Sequence, residues 1–256
     1  MTGSDFAGQR VLVTGSTRGI GRAAAELLFR RGAEVILHGG RGEDASRAVA
    51  AFGAGHGRVS SLHGDLACRE DCRRIAEAAG AVDVLVNCAG VFEGRNVEAS
   101  DEAFWDATIA VNVTAAWLLA KALLPGLRER RGVIVNVASD SAFLGYPDSS
   151  VYCASKGALV GLTRALAVEL APEVRVLAIC PGPVATDMMD KAVRSAPDPA
   201  AAKESWSAPT MLRRVASPVE IAEAIVFAAS RAARFATGSA WLIDGGVTAG
   251  RRVQRD

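Results

Sequence analysis

Tyr152 and Lys156 stand four residues apart in the run Tyr152-Cys153-Ala154-Ser155-Lys156, and Ser139 lies thirteen residues before the tyrosine. A phenol, an ammonium and a hydroxyl in one site can move a proton on and off a carbonyl oxygen. A free phenol, with pKa ~10, is a poor acid or base at neutral pH. A lysine beside it favours the phenolate and lowers that value toward the working range. Residues i and i+4 share one helix face, so a helix here brings the two side chains together. The same spacing also occurs on ordinary helix surfaces, so the pair needs a second anchor.

That anchor lies near the N-terminus. The apolar run Val11-Leu12-Val13 precedes Thr14-Gly15-Ser16-Thr17-Arg18-Gly19-Ile20-Gly21, and a helical stretch, Ala23 to Arg31, follows. The order reads strand, glycine turn, helix. Glycines permit the tight turn and let a phosphate approach the backbone, and the helix N-terminus offers free N–H groups and partial positive charge to a pyrophosphate. The spacing Gly-x-x-x-Gly-x-Gly differs from the general G-x-G-x-x-G fingerprint.

With both anchors in place, the chain resembles the short-chain dehydrogenase/reductase family, of the classical type, from about Gly8 to Gly246. The family's glycine turn T-G-x-x-x-G-x-G is matched in full by Thr14 to Gly21. Its N-N-A-G motif appears as Asn87-Cys88-Ala89-Gly90, with Cys88 where the family has a second asparagine. A strand-end P-G appears as Pro181-Gly182, with Thr186 following, and a late D-G-G as Asp244-Gly245-Gly246. The resemblance implies the catalytic set Asn112, Ser139, Tyr152 and Lys156. It also implies cofactor contacts from Gly15, Thr17, Arg18, Gly19, Ile20 and Gly21 in the turn, and from Asp65 and Leu66 at the adenine. Asn87, Ala89 and Gly90 line the channel. Pro181, Gly182, Val184 and Thr186 close over the nicotinamide carboxamide, and Lys156, with Tyr152, reaches the nicotinamide ribose.

Read from the residues, Tyr152 donates the proton in carbonyl reduction and accepts it in the reverse. Ser139 follows the strand Gly132–Ala138, at the carboxyl edge, where its hydroxyl can hold the developing oxyanion. Ser141 is a rival, and only the family spacing selects Ser139. Tyr146, a second phenol, lacks a lysine four residues on and reads as a pocket wall or a loop residue. Asn112 interrupts an apolar helix, and a buried amide must be satisfied. It reads as a core hydrogen bond or, by the resemblance, as a helix irregularity holding a water that feeds a proton relay through Lys156. Asp65 reads either as the adenine contact or as an N-cap for Arg69–Ala79. Cys88 costs one local hydrogen bond, and Cys153 reads as packing.

No protein side chain supplies a hydride, so the chemistry needs a nicotinamide. An enzyme for NAD(H) places a carboxylate about 20 residues past the glycine turn, on the ribose hydroxyl. Here that position is Gly39, within His38-Gly39-Gly40-Arg41. Arg41 and Arg18 suit a dianionic phosphate. The expectation is NADP(H), with NAD(H) as the alternative if Glu43 or Asp44 reaches the ribose or pairs with Arg41.

The elements that position these residues follow from the rest of the chain. Its 256 residues are 50% hydrophobic, enough for a sizeable core. A net charge of +1 gives no electrostatic case for nucleic acid or an anionic membrane, and no apolar run reads as long enough to cross a bilayer. Met1 to Arg10 lacks a signal pattern. The five cysteines, with no C-x-x-C pair, read as reduced thiols in a cytoplasmic protein, and Cys68 and Cys72 as structural rather than metal-binding. Expected strands are Arg10–Thr14, Glu34–His38, Arg58–His63, Val82–Asn87, Gly132–Ala138, Arg175–Cys180 and Ser239–Ile243. Their alternation with helices predicts an α/β fold: one domain over 1–256, a Rossmann-type doubly wound parallel sheet with helices on both faces. Cofactor binding falls mainly in 8–95 and catalysis in 105–250.

The stretch Thr186 to Val215, with Pro197, Pro199 and Pro209, lacks clean periodicity and reads as a mobile substrate lid. Met188, Met189, Trp206 and Met211 in it suggest an apolar, adaptable pocket for a small-molecule carbonyl or alcohol. Ala107–Ala120 carries no charge and Gly157–Val168 only Arg164, so a second subunit is expected to cover these helices in a dimer or homotetramer. The favoured activity is an NADPH-dependent ketoreductase, acting on a 3-oxoacyl thioester or related small ketone. Arg128, Arg130 and Arg131 offer either a landing patch for an acidic carrier or a solvated helix end. The alternatives are an NAD-dependent alcohol, polyol or steroid dehydrogenase, an epimerase or dehydratase, and a non-catalytic nucleotide sensor on the same fold.

Overall fold

Seven strands form where the apolar runs predict them, in a computed structural model that describes residues 5–52 and 57–250; both ends of the domain expected over 1–256 therefore lie outside the described residues. They are β1 (Arg10–Val13), β2 (Glu34–Gly39), β3 (Val59–His63), β4 (Val84–Asn87), β5 (Val133–Val137), β6 (Arg175–Pro181) and β7 (Ala240–Ile243). All pair in parallel, in the order β3-β2-β1-β4-β5-β6-β7. Between them run α1 (Gly19–Arg30), α2 (Gly42–Ala50), α3 (Arg69–Ala79), α4 (Glu102–Ile109), α5 (Ala115–Glu129), α6 (Ser150–Leu170), α7 (Asp187–Arg194), α8 (Pro199–Ser207) and α9 (Pro218–Ala229).

The continuous Val/Ile/Leu strands are explained by cover on both faces. Successive side chains point to opposite sides of a strand. Val11, Val13, Val35, Leu37, Val84 and Val86 pack with Leu28 of α1 and Ile221 and Ile225 of α9. Leu12, Ile36, Leu85 and Ile134 pack instead with Ile75 of α3, Leu119 of α5 and Leu166 of α6. β1 is the switch point. Its neighbours β2 and β4 lead the chain to opposite sides, so the loops leaving β1 and β4 diverge and open a crevice at their carboxyl ends.

Three expectations need correction. The helix after the glycine turn starts at Gly19, not Ala23, so the last two glycines of the turn belong to its first turn. Asp65 does not cap α3: the cap position is Cys68, and the Asp65 carboxylate accepts from the Ala67 N–H instead. Two helical stretches, Glu102–Glu129 and Ser150–Leu170, are long and apolar enough by length and composition to cross a membrane. They do not stand free, because Leu119, Leu123, Leu166 and Leu170 of these stretches lie in the core against the sheet. Arg128, Arg130 and Arg131 close α5 just before β5 begins, at the amino edge of the sheet and opposite the crevice; Arg130 pairs with Asp83 at 3.2 Å.

A buried polar chain ties the strands that carry the site. Asn87 Nδ2 donates to Asn136 Oδ1, and Asn136 Nδ2 donates to Thr163 Oγ1, both at 2.9 Å. It links β4, β5 and α6 just below the crevice. Asn136→Ala strands the Asn87 amide in the core, and an unsatisfied buried donor costs about 1–3 kcal/mol. Urea unfolding of the variant is expected to show a loss of that size at an unchanged slope.

Candidate active site

The crevice is a cleft of about 630 Å³ whose walls include Gly15, Thr17, Arg18, Gly39, Asp65, Ala89, Ser139, Tyr152, Lys156, Gly182 and Thr186. At its first end, Gly15 takes φ +63° beside Ala89, whose Cα would lie 2.8 Å from any Cβ added there. No side chain caps the start of α1 and its first turn holds no acidic residue, so the helix N–H groups are open to an anion. Thr14 Oγ1 accepts from the N–H groups of Cys88 and Ala89, both at 3.0 Å, which clamps the ends of β1 and β4 together. These features fit the pyrophosphate of a dinucleotide.

The acid position at the end of β2 is filled by more than glycine. A Cβ on Gly39 would lie 2.6 Å from Thr17 Cγ2, so a longer residue needs the threonine to move. Arg41 is not on the cleft wall; its Nε donates to Asp44 at 2.9 Å. Arg47 also donates to Asp44, and the two guanidiniums hold that carboxyl below the usual range. Arg18 does line the cleft, where it faces Asp187 of α7 at 3.8 Å.

The second end brings together Asn112, Ser139, Tyr152 and Lys156. The apolar helix expected over Ala107–Ala120 is broken by a π turn, Ala110–Thr114, with Asn112 buried at its centre. Asn112 Oδ1 accepts from Val91 N at 2.8 Å, and its amide donates to Val91 O at 3.1 Å and Ser155 Oγ at 3.0 Å. The core hydrogen bond and the helix irregularity therefore coexist. Lys156 is buried on α6 and donates to Val137 O at 2.9 Å. Its Nζ lies 5.6 Å from the centroid of the Tyr152 ring.

Burial sets the proton affinities here. It lowers Lys156 from 10.5 to about 8. It pushes the Tyr152 phenol above its ordinary value, while a hydrogen bond with Ser139 works the other way. The lowering expected from Lys156 is not found: desolvation disfavours the phenolate and the ammonium alike, and Tyr152 lies above its ordinary value. Ser139 Oγ donates to Asp140 Oδ1 at 2.9 Å and accepts from Ser141 N at 3.2 Å.

Several wall residues were not singled out from the sequence. Phe92 lies edge-on to Tyr152 at 4.9 Å and to Trp206 at 6.5 Å, an aromatic wall beside the phenol. His38 accepts from Gly15 N at 3.4 Å and pairs with Gly64 O at 3.2 Å, supporting the glycine turn from beneath. Asp140 carries no motif; its only signal is its place next to Ser139. Within 186–215, the expected lid contains α7 and α8, capped by Thr186 and Asp198. Met188, Met189 and Trp206 reach the cleft, but Met211 does not, packing instead against Gly246.

Comparison with known proteins agrees with this geometry. The family described as enoyl-(acyl carrier protein) reductase matches residues 15–248. An uncharacterized oxidoreductase of Thermotoga maritima is 37% identical over 96% of this chain and 99% of its own length. A cyclopentanol dehydrogenase of Comamonas sp. is 36% identical over 93% of this chain and 96% of its own length. Among solved structures, a short-chain dehydrogenase/reductase of Brucella melitensis, titled glucose/ribitol dehydrogenase, superposes with a TM-score of 0.87 at 33% identity, covering 95% of this chain and 98% of that one.

The depressed Lys156 gives a signed prediction for stability. Below about 8 the folded chain holds a buried ammonium that the unfolded chain would rather keep in water. Between about 8 and 10.5 the unfolded state binds more protons, so stability rises with pH. The rise attributable to Lys156 is on the order of 3 kcal/mol. Lys156→Met is expected to remove it. Urea midpoints of both proteins from pH 7 to 10 check this, and parallel curves would refute it.

Proposed function

Because this chain belongs to the short-chain dehydrogenase/reductase family and is an oxidoreductase of CH–OH groups, we propose that it reduces a small apolar ketone, with NADP(H) preferred over NAD(H). The observation that carries this reading is the convergence of Ser139, Tyr152 and Lys156 on one end of a cleft whose other end is an anion-binding helix start. The turn Gly15 to Gly21 holds the pyrophosphate, and Asp65 and Leu66 lie at the adenine. Ala89 and Gly90 line the channel, while Asn87 lies beneath it, bonded to Asn136, and Pro181, Gly182, Val184 and Thr186 flank the nicotinamide. A nicotinamide held there supplies or accepts the hydride.

Ser139 holds the substrate oxygen. Tyr152 delivers a proton to it in reduction and takes one in oxidation. Lys156 supplies positive charge that is felt strongly in a dry site, and binds the ribose. Asn112 anchors the π turn and feeds the lysine through a water. α7 and α8 act as a lid, with Phe92, Met188, Met189 and Trp206 as its apolar side. An apolar wall suits a cyclic or short aliphatic ketone. A 3-oxoacyl thioester on a carrier remains a candidate, but Arg128, Arg130 and Arg131, at the far edge of the sheet, give its carrier no landing patch beside the cleft.

For the cofactor, Arg41 is held by Asp44 and stands off the cleft wall, the pairing that counts toward NAD(H), so the NADP(H) preference is supported by the vacant acid position at Gly39 and by Arg18 alone. Arg18 is a cation on the cleft wall at the helix-start end, facing Asp187 at 3.8 Å. Trp117 on α5 and Val168 on α6 are exposed apolar residues, consistent with a second copy covering these helices in a cytoplasmic homo-oligomer.

Nicotinamide fluorescence is expected to show tighter binding of NADPH than NADH, with Arg18→Ala weakening NADPH about tenfold more than NADH. Equal or tighter NADH binding refutes the NADP(H) preference. On a ketone panel beginning with cyclopentanone, Tyr152→Phe is expected to lose turnover by about 10²–10⁴ while binding cofactor normally. A wild type that turns over no ketone but binds a partner protein in a cofactor-dependent way would be a sensor rather than an enzyme.

A further inference from the structure

Asp140 is a buried carboxyl next to the reacting atoms, and the proposed chemistry gives it no task. Its two oxygens meet two hydroxyl groups. Oδ1 accepts from Ser139 Oγ at 2.9 Å, and Oδ2 accepts from Tyr146 OH at 2.8 Å. Ser141 Oγ lies 3.4 Å from Oδ1 and 3.1 Å from Ser139 Oγ. Among the described residues no lysine, arginine or histidine pairs with it. Both Asp140 and Tyr146 line the cleft.

A hydroxyl carries one hydrogen. While the Ser139 hydrogen is held on Asp140, Ser139 offers a substrate oxygen only lone pairs. Carbonyl reduction needs the reverse, a donor aimed at an oxygen that gains negative charge. The same carboxyl can solve this when protonated. Tyr146 donates to Oδ2, so Oδ2 serves as the acceptor oxygen and the acid proton belongs on Oδ1, facing Ser139.

We propose that Asp140 is a positioning residue that sets the direction of the Ser139 hydroxyl: as the acid it donates to Ser139 Oγ and turns the Ser139 hydrogen toward the substrate oxygen, and as the carboxylate it keeps that hydrogen to itself. The inference rests on the reading of Ser139 as the residue that holds the substrate oxygen. Linked donors polarise one another, so the chain from acid to serine to substrate stabilises the oxyanion more than serine alone. Burial raises the Asp140 pKa above the ordinary aspartate value, and the charge of Asp244 adds to it, against the bonds from Tyr146, Ser139 and the Ser141 backbone. The other titratable groups facing this cluster are Tyr146, Tyr152 on α6 and Cys180 on β6, each raised by burial and neutral near pH 7. Lys156 titrates separately, near 8.

The acid form exists below the Asp140 pKa, so kcat for reduction falls as pH rises through it. The test is the pH profile of kcat with the first ketone of the panel that turns over, for wild type, Asp140→Asn and Asp140→Ala. Wild type is expected to show a lower inflection from Asp140 and an upper one near the Lys156 value of about 8. Asp140→Asn loses the lower inflection and keeps the upper, because its amide always donates toward Ser139 and its carbonyl still accepts from Tyr146. Asp140→Ala is expected to lose kcat by about tenfold with little change in KM. A lower inflection that persists in Asp140→Asn, or a wild-type kcat in Asp140→Ala, overturns the inference. Carbon-13 labelling of the aspartate carboxyls gives a readout without turnover. The resonance missing from Asp140→Asn should titrate above the ordinary aspartate range, and a midpoint at or below that range overturns the inference alone. A wild type that turns over no ketone removes the premise and overturns the proposed function with it.

Discussion

A buried ammonium with no carboxylate partner among the described residues is the constraint around which this site is built. Lys156 is held by α6 over the end of β5, and its Nζ donates to the Val137 carbonyl. Withdrawing such a charge from water is costly, and the cost appears as a depressed proton affinity. The lysine is kept there by the packing of α6 against the sheet. The same burial that weakens the lysine's hold on its proton keeps the neighbouring phenol protonated. The two groups stand close together, with Lys156 Nζ 5.6 Å from the Tyr152 ring centroid.

The opposite end of the cleft answers to a different requirement, close approach. β1 and β4 must end side by side for the crevice to open, and Thr14 fastens them by accepting two backbone N–H groups of the β4 loop. Gly15 has to be glycine on two counts, its positive φ and the nearness of Ala89. The start of α1 then presents unpaired N–H groups with no acidic residue to compete for them. Beyond β2, Asp44 is engaged by Arg41 and Arg47, and Arg18 on the cleft wall faces Asp187 of α7.

Between the two ends lies a hydroxyl cluster, Ser139, Ser141 and Tyr146, gathered around Asp140. A carboxyl among hydroxyls decides where their hydrogens point, since each hydroxyl has only one to give. This makes the short turn after β5 more than a connector. It links one buried acid to the hydroxyl groups of Ser139 and Tyr146 on the cleft wall.

The strands, the glycine turn and the pairing of Tyr152 with Lys156 were legible in the sequence because each is local. A buried parallel strand must be apolar along its length, a phosphate turn must be rich in glycine, and helical period alone puts residues four apart on one face. The strand ends needed correction by at most two residues, and α1 by four at its start. Asp65 illustrates the limit: its spacing suggested a cap, but the chain turns at Ala67 and leaves the cap position to Cys68. Phe92, His38 and Asp140 escaped for a common reason. Their roles arise from neighbours 22 to more than 100 residues away, or, for Asp140, from two hydroxyls whose orientation no spacing reveals. The sequence by itself determined the sheet, the crevice and the placing of Tyr152 and Lys156 side by side on one helix. Only the tertiary structure decided how dry that pair is, which carboxylates are already taken, and which side chains wall the cleft, because burial and pairing are properties of the packed chain and not of any segment of it.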